Sequence, residues 1–153
     1  MVVRKLRTFY GLSRLERRLT LSTIALTASV RLGLWLVPFR TMRSICEKFA
    51  QGGKRPAGTA PEADIVRAVR LSSRYVPRAS CLVQALTTQI LMGRNGHPVQ
   101  VHIGVALNRE SGFRAHAWVE SQGRVLVGQV EELASYAPML VLDAALHKQP
   151  KNI

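Results

Sequence analysis

Acidic residues are scarce. Nine Asp and Glu stand against 22 Lys and Arg in a chain of 153 residues, a formal net charge of +13. Such an imbalance attracts acidic partners, whether nucleic acid, anionic lipid or acidic protein, and it bears on association rather than on fold. A merely solvated basic face fits it as well. Only two cysteines are present, Cys46 and Cys81, which excludes a secreted disulfide scaffold and makes a reducing, cytoplasmic compartment the default. Aromatics are few and do not alternate with the basic residues, and no zinc-finger or RNP-type motif occurs, so specific nucleic-acid recognition is not expected. His97 and His102 taken with Cys81 match no common zinc spacing.

What is present suffices for a core: 47% of residues are hydrophobic, and the length is that of one ordinary domain. The charge is uneven. Before Pro56, twelve Lys and Arg, from Arg4 to Arg55, face only Glu16 and Glu47, so residues 1–55 form a basic N-terminal region ahead of a less charged remainder, 56–153. Both parts are expected to make one compact unit. The stretch Leu19 to Val37 approaches the roughly 20 residues that a bilayer core requires. Arg31 interrupts it and Ser and Thr dilute it, which favours a packed or amphipathic helix, with peripheral membrane contact as the lesser option.

Ser13 and Glu16 form a capping-box pattern that starts a helix running to about Val37, where Pro38 ends it. A second helix is expected from Arg40 to Ala50, stopping at Gly52-Gly53, and 54–60 has the composition of a loop. Ile65, Val66, Val69 and Leu71 suit a third helix closed by Pro77. Ser80 is placed to cap a fourth, which opens on Cys81 and runs to Asn95-Gly96. After Pro98 the period changes to two: Val99, Val101, Ile103 and Val105 alternate with polar or small residues, as in a half-buried strand. Turn residues at Asn108 to Gly112 lead to a second strand, Phe113 to Ser121, with Arg114, His116, Trp118 and Glu120 on one face. Gln122-Gly123 reads as a two-residue hairpin turn into Arg124 to Gly128. A short helical segment near Glu131 to Tyr136 and a strand from Pro138 to Leu142 complete an α+β layout.

A thiol attacks a carbonyl as its thiolate, and a helix N-terminus favours that negative charge. Cys81 stands at such a terminus. An imidazole can take the thiol proton and return it to a leaving amine, and His116, in mid-strand on the more polar face, is suited to that role. Backbone amides of the same first turn can stabilise an oxyanion. Each residue also has a plainer reading, since buried cysteines and satisfied core histidines are common. Cys46 reads as a small core residue, Trp118 as a cleft wall or core packing, and His147 as part of a polar tail.

The segments CLVQAL at Cys81 to Leu86, GHPVQVHIGV at Gly96 to Val105 and FRAHAWVE at Phe113 to Glu120 together resemble the transglutaminase-like core of the lasso-peptide biosynthetic leader peptidases. The likeness extends to SYAPML at Ser135 to Leu140 and to the basic, leucine-rich N-terminal helices. It implies a papain/transglutaminase-like core in which the nucleophile helix packs on an antiparallel sheet. It further implies cysteine proteolysis that strips the leader from a ribosomally made precursor peptide, without metal or organic cofactor. The chain is similar to the stand-alone protease of a split pair, which implies a separate leader-recognition protein and an ATP-dependent lasso cyclase as partners.

The family's triad is Cys, His and Asp. Cys81 and His116 match the first two, but the spacing that leads to the aspartate leads here to Gly128. With a regular two-residue hairpin, Gln129 lies across from His116, where an amide oxygen can orient the ring. Glu131 and Glu120 are the acidic alternatives, and a dyad is the fourth option. The rival readings are a transglutaminase-type acyl transferase on the same residues, and a non-catalytic basic scaffold that binds lipid or nucleic acid.

Overall fold

The computed structural model describes residues 14–52, 60–108 and 112–143. Ser13 of the capping box, most of the 54–60 loop, the middle of the 108–112 turn and His147 lie outside the described residues. Four helices precede a four-stranded antiparallel sheet, the α+β order expected.

Helix α1 spans Arg14–Leu36. It is long and apolar enough, by length and composition, to cross a membrane. In this fold its stripe of Thr20, Thr23, Thr27 and Val30, at helical three- and four-residue spacing, is buried. The threonine hydroxyls are satisfied locally: Thr23 donates to the Leu19 carbonyl and Thr27 to that of Thr23, each at 2.7 Å. Pro38 ends α1 as expected and stands at the N-cap of α2, Phe39–Gln51. Met42, Cys46 and Ala50, four residues apart, form its buried face.

Helix α3, Glu62–Ser72, carries Glu62 and Asp64 in its first turn, where negative charge complements the exposed amides. It ends five residues before Pro77, the residue expected to close it. The cause is local: Ser72 and Ser73 donate back to the carbonyls of Val69 and Arg70, and such bonds compete with continuation of a helix. Helix α4, Cys81–Arg94, is the centre of the molecule. Residues 85 to 92 are buried without interruption, which is the mark of a helix enclosed on all sides. Val30 of α1, Met42 and Cys46 of α2 and Ile65 and Val69 of α3 share one apolar cluster with its Val83, Leu86 and Ile90. The basic N-terminal helices are thus part of the core.

The strands are β1 Gln100–Asn108, β2 Gly112–Ser121, β3 Arg124–Val127 and β4 Ala137–Asp143, in the spatial order β3-β2-β1-β4. Register pairs Val101 with Val119 and Ile103 with Ala117, and β4 adds Leu142 opposite Val101. These residues belong to the same apolar cluster as α4 or pack against it, so this is the face that covers the helix. Burying each large aliphatic side chain there contributes roughly 1.5–3 kcal/mol. By strand alternation the opposite face carries His102, Gly104, His116, Trp118 and Glu120. The turn at Gln122-Gly123 forms as expected, with positive φ at both residues.

Candidate functional site

The first turn of α4 is built by Ser80, whose extended backbone and hydroxyl close the helix start. Its Oγ accepts from the Val83 amide at 3.4 Å. Gln84 reaches back to the Ala79 carbonyl at 2.9 Å and ties down the approach. Cys81 follows the cap directly, as a half-buried free thiol packed at the border of the apolar cluster. The Val83 and Gln84 amides are taken up by Ser80, and the amides of Cys81 and Leu82, at the very start of the helix, have no carbonyl partner within it to accept from them.

The second thiol is chemically different. Cys46 is wholly buried, and burial, helped by the Glu47 carboxylate, raises its pKa from 9.0 to about 11. Two results follow. Alkylation of the folded protein at pH 8 is expected to put one label on Cys81 and none on Cys46 until denaturant is added, as peptide mapping will show. Because the folded state holds the Cys46 proton more tightly than the unfolded chain, stability is expected to fall as pH rises from 9 toward 11. Denaturant titrations across that range check the sign.

His116 stands in β2 on the face away from α4, opposite Gly104 of β1. Its ring is packed between Trp118, with centroids 6.2 Å apart and planes 15° from parallel, and Tyr136, at 5.3 Å and 47°. On its other side Trp118 stacks on His102 at 5.3 Å, and its indole N–H donates to Glu120 at 2.7 Å. Gly104 makes room for this row, because a Cβ there would come within 2.9 Å of the indole. Trp118 is therefore a buried side chain packed beside His116, in keeping with the packing reading of it. Tyr136 was not foreseen from sequence; it enters the row because the β3–β4 connection crosses the His116 face on its way between opposite edges of the sheet.

His116 Nε2 lies 2.7 Å from the backbone carbonyl oxygen of Gly128. A carbonyl only accepts, so Nε2 carries the proton and the lone pair is on Nδ1. The position at which spacing led to a missing carboxylate thus supplies a main-chain oxygen that orients the ring. Gln129, the expected orienter, makes no hydrogen bond to His116. The reason is a β-bulge: Glu120 pairs with Val125, but Val119 pairs with Val127, so Leu126 is an extra residue. The slip moves the residues after β3 one position out of the expected register. Gln129 and Glu131 line an open groove of about 390 Å³ with Arg114, Glu132 and Tyr136. Glu120 is engaged with Trp118, and its second oxygen lies 3.6 Å from His102 Nε2.

The structure does not join Cys81 to His116 by a hydrogen bond. Helix α4 packs on the apolar face of the sheet, and His116 stands on the other face by strand alternation. Pairing of β3 with β2 stops at Val119, so at His116 the β2 edge is free of a ladder partner. Among the other histidines, His97 Nε2 is 2.9 Å from the Ala60 carbonyl, and among the described residues no three His, Cys, Asp or Glu side chains gather as a metal ligand set.

With this geometry in hand, comparison with known families is informative. The model of the transglutaminase-like superfamily matches residues 24–141, a span that includes α4, both candidate residues, and most of α1. No curated protein and no solved structure matches the chain.

Proposed function

Since the chain belongs to the transglutaminase-like superfamily, we propose that it is a cysteine endopeptidase in which Cys81 is the nucleophile and His116 the base. The observation that carries this reading is the bond from His116 Nε2 to the Gly128 carbonyl, because it leaves Nδ1 unprotonated and ready to accept the thiol proton. The thiolate attacks the scissile carbonyl, the first-turn amides of α4 receive the oxyanion, and His116 returns the proton to the departing amine. Water then hydrolyses the thioester. Catalysis needs thiol and ring to meet, and we assign their approach to binding of substrate and partner.

The finer reading is that the substrate is a lasso-peptide precursor and the product its freed core N-terminus, ready for a cyclase. It is supported by CLVQAL, AHAWVE and SYAPML taken in order along the chain. A separate recognition protein presents the leader, and the reaction takes place in the cytoplasm. In a reconstituted mixture of chain, recognition protein and precursor, His116→Ala is expected to lower the cleavage rate by about 10²–10⁴, the usual worth of a positioned general base. Undiminished cleavage overturns the assignment. Product masses also separate hydrolysis, which adds one water, from acyl transfer, which joins two fragments.

A further inference from the structure

A groove of about 420 Å³ opens between the end of α1 and the first turn of α4. Its walls are Leu34, Trp35, Phe39 and Leu82, and Ser80 and Arg31 form its polar rim. Ser80 and Leu82 are the two sequence neighbours of Cys81, so anything held here lies against the same helix turn, although the Cys81 side chain does not itself line the groove. Trp35 is 80% exposed, an aromatic surface that no part of the described chain covers. Arg31 makes one long contact, 3.4 Å from its Nη1 to the Arg78 carbonyl, and Arg78 and Arg40 are exposed close by in sequence to groove residues. The volume is in the range of small-ligand sites, and an apolar floor with a cationic rim fits one kind of occupant: a peptide with a bulky apolar side chain and a neighbouring carboxylate.

We propose that this groove is the specificity subsite of the peptidase and that it takes a bulky apolar residue flanked by an acidic one on the substrate peptide. The proposal rests on the assignment of Cys81 as nucleophile and adds which substrate chemistry that site selects. A groove that holds a part of the substrate away from the reacting atoms contributes binding shared by ground and transition states, so its loss shows in KM rather than in kcat. An anionic bilayer is the rival occupant of an open apolar surface with a cationic rim; the position of the groove at the helix start that carries Cys81 favours a peptide, and the test includes the bilayer as an outcome.

The test uses the full chain in two forms. With Cys81→Ala protein, fluorescence anisotropy measures binding of labelled peptides bearing Leu or Phe beside Glu, and of versions with the apolar residue changed to Ser or the acid to Lys. Binding is expected to weaken about tenfold or more for the Ser peptide and severalfold for the Lys peptide. Trp35→Ala is expected to weaken the parent peptide about tenfold, and Arg31→Glu to reverse the preference between Glu and Lys. With active protein, Trp35→Ala should raise KM and leave kcat within about twofold. Equal binding of all peptides, or unchanged KM in both variants, overturns the subsite. Loss of binding to phosphatidylglycerol vesicles in Trp35→Ala with peptide binding intact overturns it in favour of a membrane. If cleavage does not depend on Cys81 while the peptide preferences hold, the nucleophile assignment fails and the groove stands.

Discussion

Cys81→Ala is expected to reduce precursor cleavage by at least about 10³-fold while leaving the fold intact. The magnitude follows from the role: without the sulfur no acyl-enzyme forms, and what remains is acceleration by binding and oriented amides alone. The fold is expected to survive because Cys81 is only half-buried and the helix start is held by Ser80 and Gln84 rather than by the thiol. A circular dichroism spectrum and a melting curve matching the wild type make the loss a chemical one. Cys46→Ala is the companion: that side chain is wholly enclosed beside α4, and its replacement should lower stability with little change in kcat for the protein that remains folded. If the two variants exchange these behaviours, the assignment of the thiols is wrong.

Gly128→Asp is the second large effect, and its direction is contrary to a simple reading of the family pattern. Placing the missing carboxylate at this position is not expected to restore a triad. Gly128 has φ of +87°, which costs a side-chain-bearing residue about 1–3 kcal/mol. A Cβ would also stand 2.6 Å from the Ala117 carbonyl oxygen and 2.8 Å from the Trp118 Cα, both of them backbone and unable to yield cheaply. The strand would have to move, and the carbonyl that holds His116 Nε2 would move with it. The melting temperature is therefore expected to drop by about 5–15 °C, and cleavage to fall together with it. Gly128→Ala separates the causes, because it adds the same Cβ without a carboxylate and should behave similarly. An Asp variant more active than wild type shows that a side-chain carboxylate, not the main-chain oxygen, is the better orienter.

Much of this architecture is written in local residue patterns. Pro38 between two helices, Ser80 ahead of Cys81, the change to period two after Pro98, and Gln122-Gly123 each act within a few residues of where they stand, and each set an element boundary near its observed place. The end of α3 was misjudged because two serine hydroxyls act before Pro77 does. The site is harder to read. His116 was found from its motif and strand position, but its partner is a backbone oxygen, which leaves no trace in the identity of a residue. The bulge at Leu126 is decided by pairing across the sheet, and it alone is enough to move Gln129 out of the register that would set it opposite His116. Tyr136 came into the row through the path of a connection between distant sheet edges.

The central claim is that Cys81 is the atom acylated by the substrate, and covalent trapping tests it most directly. Wild-type chain with its recognition protein is incubated with a leader peptide ending in an aldehyde or vinyl sulfone, and the intact mass and tryptic map of the protein are read. The account predicts a single adduct on Cys81, none on Cys81→Ala, and a slower one on His116→Ala. An adduct on Cys46, or ongoing precursor cleavage by a Cys81→Ala protein that carries no adduct, contradicts it.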